Sequence, residues 1–182
     1  MAPGVPRMRL LRWLALPVVL VPLAWLLFTG LGTDPRVLPS PLVGKPMPAI
    51  AGMTLDGGTF SSAALLGKPA IVNFWASYCI PSCVDEHPFL LDLAARHGSE
   101  LGMVGVLVND TPDGARGFLD RYGQVSWPTV LNADSGISID YGVTGPPETF
   151  FVDARGFVVA RHVGPLTQAV LDDELAAIGI AP

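Results

Sequence analysis

The sequence contains only two cysteines among its 182 residues, and both lie within one five-residue stretch, at Cys79 and Cys83. Two cysteines are too few for the disulfide framework that staples many small secreted folds. Half of the residues are apolar, so the chain can bury a core without such staples. The close spacing therefore points to a local redox or metal-binding pair.

Basic residues are also scarce beyond the N-terminal region. From Lys45 onward the chain has seven basic and fifteen acidic residues, a net charge of about −8. A nucleic-acid surface needs the opposite sign, because lysine and arginine neutralise the phosphates. The composition excludes that class of partner and favours a protein or a small molecule.

Charge is absent altogether from residues 13–33. Twenty-one residues in a helix span roughly 31 Å, which is enough to cross a bilayer. Arg7, Arg9 and Arg12 precede this run directly. By the positive-inside rule, residues 1–12 are predicted to be cytoplasmic and the apolar run to be a single-pass anchor in the inner membrane. The remainder of the chain would then face the periplasm.

A cleaved signal peptide is the alternative, because Pro17 and Pro22 interrupt the apolar run. The run is longer than a usual signal-peptide core, and no clear small-x-small cleavage site follows it, so an uncleaved anchor is favoured. The proline-rich segment 34–48 is predicted to be an extended spacer, and residues 49–182 to be the folded domain.

Short apolar runs alternate with amphipathic stretches in this domain. Strands separated by helices, followed by a terminal hairpin and helix, favour an α/β sheet flanked by helices. The predicted elements are a hairpin at 53–60, a strand at 69–75, a helix from near Cys83 to Arg96, a strand at 101–108, a helix beginning at 111–113, a short strand at 129–131, a hairpin at 149–160 and a helix at 168–178.

The two cysteines fall where the predicted buried strand gives way to a helix. Unpaired backbone N–H groups and the helix dipole stabilise a thiolate at that place, which lowers the thiol pKa and makes the sulfur a nucleophile. Cys79 lies on the loop side and is predicted to attack, while Cys83 would resolve the mixed disulfide. The electrons reside in the cysteines, so no cofactor is required. The alternative is a pair of buried, inert cysteines.

Four segments carry a family resemblance: Asn73–Cys79, Glu86–Pro88, Gly145–Phe150 and Arg161–Leu166. They resemble the thioredoxin-like proteins of the DsbE/CcmG cytochrome c biogenesis type, and the similarity covers about Val43–Ile178. The resemblance implies a thioredoxin-like fold with a central mixed sheet flanked by helices. It also implies a disulfide oxidoreductase that reduces disulfides in apocytochrome c or its handling factors, and that a transmembrane thiol electron donor re-reduces.

The resemblance assigns supporting roles around the cysteines. Pro147 would form a cis peptide bond against the pair and offer backbone groups to a substrate chain. Glu86 would move protons during thiol exchange, with a solvated first-turn carboxylate as the alternative. Trp75 would support the site, and Tyr78 stands where the family more often has tryptophan. The neighbouring Asp85 is expected to face solvent.

One feature departs from the family pattern. The family spacing is Cys-x-x-Cys, whereas this chain has three residues between Cys79 and Cys83, with Ser82 behaving as an insertion. We expect the loop before the helix to bulge and to push Cys79 outward. A disulfide requires the two Cα atoms to lie within roughly 7 Å. An alternative interpretation is a thioredoxin-fold binding module whose redox cycle is impaired.

His162 suggests a different function. Two cysteines at this spacing and a distant histidine resemble the ligand set of Sco-type copper chaperones, since thiolates and imidazole suit copper. The alternative function is therefore a copper-binding assembly factor that uses Cys79, Cys83 and His162. His87 is expected to be a packing or surface residue.

Overall fold

The computed structural model describes residues 17–26 and 40–181. The chain divides into two compact units, Met1–Leu38 and Pro39–Pro182. In the first unit, residues 17–26 form helix α1. Within the described ranges, no helix is both long enough and apolar enough to span a bilayer. The rest of the predicted anchor and the basic segment before it lie outside the described residues, so the anchor stays a prediction.

The second unit contains the strands and the remaining helices. In chain order its elements are β1 (Ala51–Met53), β2 (Thr59–Ser61), a 3-10 helix (Ser62–Leu65), β3 (Ala70–Trp75), α2 (Ser82–His97), β4 (Gly102–Val108), α3 (Pro112–Tyr122), β5 (Thr129–Asn132), α4 (Gly136–Tyr141), β6 (Glu148–Val152), β7 (Val158–Val163) and α5 (Gln168–Ala177).

Five strands form one mixed sheet in the order β5-β4-β3-β6-β7. β3, β4 and β5 run parallel because helical segments connect them, as parallel neighbours require. β6 runs antiparallel to both β3 and β7. A tight turn joins β6 to β7, with Gly156 at a φ of 86° that favours glycine. The sequence prediction of a central mixed sheet is confirmed.

Helices cover both faces of this sheet. Alternate residues of β3 point to opposite faces. Val72 and Phe74 belong to one core cluster, together with Tyr141 of α4. Ile71 belongs to a second cluster with residues of α2 and α5, and Trp75 to a third with residues of α3. Because both faces are covered, all six residues of β3 are buried.

Other segments of the chain cover part of each edge of the sheet. The hairpin β1–β2 lies beside β5, where Thr54 bridges Val130. At the opposite edge, Gly44 donates a backbone hydrogen bond to Val158 of β7. Pro46 forms a bridge to Phe157 directly before that strand. The start of β7 is therefore paired with residues that precede β1.

This pairing differs from the predicted spacer, which extended to residue 48. Residues 40–48 form turns and a β-bridge against the domain. Ser40 is buried, and the side chains of Leu42 and Met47 pack on the core cluster of Val72. These apolar side chains gain more from burial than an extended, solvated segment would allow. Residues 40–48 therefore belong to the folded domain and not to a spacer.

Candidate active site

The cysteine pair lies where β3 passes into α2. Cys79 is in the connecting loop, and Cys83 is in the first turn of α2, which begins at Ser82. The two cysteines form a disulfide with a Cα–Cα distance of 5.3 Å. This distance is within the usual range for protein disulfides. The extra residue of the Cys-x-x-x-Cys spacing therefore does not prevent the bridge.

The backbone explains how this spacing brings the sulfurs together. The N–H of Cys83 donates to the carbonyl of Cys79 at 2.9 Å, an i to i+4 bond. Residues four apart in such a turn lie one above the other on the same side. The peptide bond between Ile80 and Pro81, inside the turn, is cis. The segment between the cysteines thus closes one turn instead of swinging one sulfur away.

Both cysteines are buried, at 8% exposure for Cys79 and 2% for Cys83. The expected outward displacement of Cys79 is absent because Trp75, Leu107 and other apolar side chains pack around the pair in one cluster. Cys79 remains the more exposed of the two sulfur-bearing residues. That order agrees with an attacking Cys79 and a resolving Cys83.

Hydrogen bonds to the end of β4 hold the cysteine loop. The backbone N–H of Ser77 donates to Asp110 Oδ2, and the hydroxyl of Tyr78 donates to the Val108 carbonyl at 3.1 Å. Tyr78 is otherwise exposed, at 56%. Partial burial, followed by the negative charge of Asp110, raises the pKa of Tyr78. The loop before Cys79 is therefore fixed by one contact to the last residue of β4 and one to Asp110, which follows that strand.

Trp75, the last residue of β3, packs against α3 and β4 next to the cysteine loop. Its ring is buried and packs against Phe118 of α3, with ring centroids 5.2 Å apart. The indole also lies against Gly105 of β4, where an added Cβ would come within 2.9 Å of Nε1. The absence of a side chain at Gly105 makes room for the tryptophan. The predicted supporting role of Trp75 thus corresponds to a packing contact.

Glu86 is buried on α2, one turn after Cys83, at 1% exposure. Its Oε1 accepts a hydrogen bond from Asn73 Nδ2 at 2.9 Å, and its Oε2 accepts one from the Leu166 N–H at 3.1 Å. Burial raises the pKa of Glu86 to about 7, against the lowering effect of these two hydrogen bonds. The structure does not support the alternative of a solvated Glu86.

Asn73 connects Glu86 to the sheet. It lies in β3 opposite Thr149 of β6, and its amide also donates to Thr149 Oγ1 at 3.0 Å. Both hydrogens of the Asn73 amide are therefore used, and each acceptor is buried. A buried polar network of this kind fixes the position of its members. Glu86 and Cys83 line the same small internal cavity, to which Asn73 also contributes.

Pro147 stands directly before β6, and the peptide bond between Pro146 and Pro147 is cis, as the resemblance implied. The ladder pairs Glu148 with Phe74, so Pro147 lies at the sheet end where β3 leads to the cysteine loop. Glu148 is completely buried and forms an ion pair with Arg161 of β7 at 2.6 Å.

The histidines do not join the cysteines. His87 is buried, and its Nε2 lies 2.9 Å from the Gly123 carbonyl, so it is a packing residue as predicted. His162 Nε2 lies 3.2 Å from the Pro165 carbonyl. In the described part of the chain, no three His, Cys, Asp or Glu side chains are grouped so that they could hold a metal ion. The copper set of Cys79, Cys83 and His162 stays a prediction.

Three residues of the site had no predicted role: Asn73, Asp110 and Arg161. Asn73 carried a usable signal, because it is the one polar residue of the apolar run Ala70–Trp75 and a buried amide needs partners. Arg161 also carried a signal, because it and Glu148 flank the predicted hairpin 149–160. Asp110 carried none, since its partner Ser77 is 33 residues away.

A mixed sheet with helices on both faces, whose central strand leads to a disulfide at a helix start, defines the thioredoxin-fold thiol–disulfide oxidoreductases. A family model described as Redoxin matches residues 42–177 of this chain. The thiol:disulfide interchange protein DsbE of Allochromatium vinosum is 40% identical over 162 residues, which cover 88% of each chain. The chain therefore belongs to the redoxin family and, within it, to the DsbE-type thiol:disulfide interchange proteins.

Further similarities support this membership. The thiol:disulfide interchange protein HelX of Rhodobacter capsulatus is 41% identical over 89% of this chain and 95% of its own length. A thioredoxin-family thiol:disulfide interchange protein from Chlorobium tepidum superposes with a TM-score of 0.66 at 30% identity, covering 81% of this chain and all of the other. The structure of DsbF from Mycobacterium tuberculosis gives 0.65 at 33% identity, over 71% and 94%. The predicted thioredoxin-like fold and oxidoreductase class are confirmed.

Proposed function

We propose that this chain is a membrane-anchored periplasmic dithiol reductant that transfers two electrons from Cys79 and Cys83 to a disulfide in an exported protein. The observation that carries the proposal is the Cys79–Cys83 disulfide at the start of α2, with the buried carboxyl group of Glu86 one turn away. This disulfide is the oxidised product of the proposed reaction.

The reaction has two exchange steps. In the reduced protein, the Cys79 thiolate attacks one sulfur of the partner's disulfide, forms a mixed disulfide and releases the other partner sulfur as a thiolate. The sulfur of Cys83 then attacks Cys79, which releases the second partner thiol and forms the Cys79–Cys83 disulfide. The partner gains two electrons and two protons, and the protein becomes oxidised. Cys79 takes the first role because it is the more exposed cysteine.

Glu86 supplies the proton transfer for the second step. Cys83 must lose a proton to attack, and its burial disfavours a free thiolate. A carboxyl group with a pKa of about 7 is close to half-protonated at neutral pH, so it can accept that proton and return it. Both residues line the same small cavity, through which the proton would pass.

Family membership and the N-terminal sequence support the proposed partner and location. The chain belongs to the DsbE-type proteins, and its resemblance to the cytochrome c biogenesis group makes apocytochrome c, or a factor that handles it, the proposed partner. Residues 13–33 would hold the protein in the inner membrane, with residues 1–12 in the cytoplasm. A transmembrane thiol donor would reduce the disulfide again after each cycle.

A trapping experiment tests the order of attack. The Cys83→Ser variant of the full chain, reduced and purified in detergent, is mixed with an apocytochrome c peptide whose two haem-attachment cysteines form a disulfide. We expect a stable mixed disulfide with Cys79, because the resolving thiol is missing. The Cys79→Ser variant is the matched control and should trap at least tenfold less. The opposite result would assign the attack to Cys83.

A redox titration tests whether the pair turns over. The wild-type full chain is equilibrated with glutathione buffers, and its free thiols are counted. The proposal requires a reversible Cys79–Cys83 couple that is reducing enough to transfer electrons to the peptide disulfide. A pair that stays oxidised in all buffers, or a peptide that is never reduced, would refute the proposed function and favour a binding module without redox turnover.

A further inference from the structure

One peptide group between β7 and α5 contacts two ionisable side chains. His162, in β7, has its Nε2 3.2 Å from the carbonyl oxygen of Pro165. On the other side of that peptide bond, the N–H of Leu166 donates to Glu86 Oε2 at 3.1 Å. A carbonyl oxygen only accepts, so Nε2 must carry the hydrogen of the first bond. The Pro165–Leu166 peptide group therefore joins the histidine to the buried carboxyl group.

The two ends of this connection differ in their access to solvent. Glu86 and Leu166 are both buried, so the hydrogen bond between them lies inside the domain. His162 is half-buried, and Pro165 is exposed. A side chain near the surface is thus linked through a single peptide group to the carboxyl group beside the cysteines.

The sheet places His162 in line with the other hydrogen-bond partner of Glu86. Asn73 is paired with Thr149, and Thr149 is paired with His162 on the next strand. Directly paired residues point their side chains to the same face of a sheet. Asn73 donates to Oε1 of Glu86, and the N–H of Leu166 donates to Oε2. Each carboxyl oxygen has a donor, and the donor to Oε2 belongs to the peptide group that His162 contacts.

Other titratable side chains flank the two ends of this connection. Those on α5, near His162, are Glu174 and Asp173, and those on α2, near Glu86, are Cys83 and His87. Burial raises the pKa of Glu174, and the charge of His162 opposes that rise. These four side chains are the same in every variant of His162, so their own titration forms a common background.

A hydrogen bond to the carbonyl of a peptide group also affects the N–H of that group. Such bonds polarise one another, with a strengthening of roughly 10–30% per bond. The bond from His162 therefore makes the Leu166 N–H a stronger donor and fixes the plane in which it points at Glu86. A donor to the charged form of a carboxyl group favours that form. Without the bond from His162, Glu86 should hold its proton more tightly.

We propose that His162 is a positioning residue for proton transfer at Glu86, and that it acts through the Pro165–Leu166 peptide group. The inference rests on the proposed function, in which the Glu86 carboxylate accepts the proton of the Cys83 thiol before the second exchange step. His162 does not take up that proton. It orients and strengthens the donor that stabilises the carboxylate, so that Glu86 is available as a base at neutral pH.

The pH profile of the second exchange step tests this role. The reduced full chain in detergent is mixed in stopped flow with one equivalent of bis(thionitrobenzoate), at concentrations at which the first step is the faster one. One thionitrobenzoate is released when Cys79 attacks and a second when Cys83 attacks. We expect the rate of the second release to rise with pH in the wild type, with a midpoint near 7, as Glu86 loses its proton.

Two substitutions of His162 separate hydrogen-bond donation from titration of the ring. His162→Leu removes the donor, so the midpoint should rise by about 0.3 to 1 unit and the second release at pH 7 should slow about 1.5- to 5-fold. The first release should stay unchanged, which also shows that the variant is folded. His162→Gln keeps an N–H donor near the position of Nε2 and should restore the wild-type profile. His97→Leu, at the opposite end of α2 from Glu86, is the matched control and should change neither release.

The Glu86→Gln variant shows whether His162 acts through Glu86. It removes the titrating carboxyl group, so the midpoint near 7 should disappear and the further change His162→Leu should have no effect on the second release. A second release that His162→Leu still slows in this background would overturn the inference. An unchanged midpoint in His162→Leu alone, or a His162→Gln profile equal to that of His162→Leu, would overturn it as well.

Failure of the proposed function gives different results in the same experiment. If the wild type releases only one thionitrobenzoate, Cys83 does not resolve the mixed disulfide and the dithiol chemistry itself fails. If the second release occurs without a midpoint near pH 7, the proton transfer by Glu86 fails, and the inference fails with it. If the wild-type midpoint is present and His162→Leu leaves it in place, only the role of His162 is refuted.

Discussion

Asp85 and Glu86 are adjacent carboxylic residues of α2 with opposite surroundings. Asp85 faces solvent, as expected, whereas Glu86 is buried. Glu86 lies three residues after Cys83 and four before Leu90, so it occupies the stripe of α2 that packs on the sheet. A carboxyl group at such a position is retained at a cost in stability, because the charged form is poorly solvated. This cost depends on pH.

Glu86 gives the folded protein a pH dependence whose direction can be stated. Its folded pKa of about 7 lies above the ordinary glutamate pKa of 4.5, so the folded chain holds this proton more tightly than the unfolded chain. Its contribution to the free energy of unfolding is then fully present below about pH 4.5 and is lost as the pH rises towards 7. At 1.36 kcal/mol per pKa unit, the loss amounts to about 3 kcal/mol.

The Glu86→Gln variant isolates this contribution. Burial lowers the pKa of His87, which makes stability rise with pH and so partly hides the effect of Glu86 in the wild type. The oxidised wild type and the oxidised Glu86→Gln variant are unfolded in urea at pH 5, 6, 7 and 8. The contribution of His87 cancels in the difference between the two proteins, because both contain it. We expect the wild type to lose about 3 kcal/mol relative to Glu86→Gln across this range. A constant difference between the two proteins would show that Glu86 does not titrate there.

At the scale of elements, α3 is the helix that meets the cysteine loop. Gly114 lies in its first turns, and a Cβ at this position would come within 2.8 Å of Ser77 Oγ and 2.9 Å of Asp110 Oδ1. Asp110 is also the residue that accepts the hydrogen bond from the Ser77 N–H. The lack of a side chain at Gly114 thus allows α3 to pack directly against the loop that carries Cys79.

Two glycine-to-alanine changes in α3 form a matched pair. Gly114→Ala should displace Ser77 and slow the reduction of the peptide disulfide about tenfold, because small displacements of reacting groups have large effects on rate. Gly117→Ala meets no atom within 4 Å, so its rate should not change and its helix should gain up to about 1 kcal/mol. Stopped-flow rates and urea unfolding of both variants provide the comparison. Equal rates for the two variants would show that the packing of α3 does not support the cysteine loop.

Elements with a strong local pattern could be predicted from the sequence. The apolar run at β3, the hairpin turning near Gly156 and the start of α3 after Thr111 are found as predicted, and the Thr111 side chain does accept from the Gly114 N–H. α4 was not predicted, because it has six residues and follows Ser135, which has a left-handed φ of 60°. One and a half turns contain too few residues to show a helical period.

The residues of the site also fall into two groups, those that a local sequence pattern reveals and those that it does not. Cys79, Cys83, Glu86 and Pro147 lie in motifs that a single stretch of sequence reveals. The partners that fix them come from distant parts of the chain: Leu166 is 80 residues from Glu86, and Asp110 is 33 from Ser77. Such contacts depend on the order of strands in the sheet, which local patterns do not specify. The burial of Glu86 therefore became clear only in the folded structure.

At the scale of the whole molecule, the charge distribution separates the N-terminal region from the domain. Arg7, Arg9 and Arg12 lie before the uncharged run, and Arg36 lies just after it. Both lysines of the domain precede proline, at Lys45-Pro46 and Lys68-Pro69, where trypsin does not cut. The domain arginines lie in helices, in strand β7 or in the β6–β7 turn, where Asp153 pairs with Arg155.

Trypsin can therefore test the proposed topology. When it is added to spheroplasts of a Gram-negative host that expresses the full chain, we expect the first cut after Arg36 and release of the domain from the membrane. Immunoblotting of pellet and supernatant follows the release. The Arg36→Gln variant is the control and should remain in the membrane fraction at the same protease concentration. A domain that is protected until the cells are lysed would be on the cytoplasmic side.

The pairing at the sheet edges affects how this protein would interact with unfolded partner chains. An uncovered strand edge is a template on which another extended chain can add, which leads to aggregation. A periplasmic reductant would meet its partners before they fold, when their strands are unpaired. With the β1–β2 hairpin beside β5 and residues 44–46 beside the start of β7, extended partner chains find few unpaired strands to join. Fewer places then remain at which an unfolded partner chain could add to the sheet and co-aggregate with the protein.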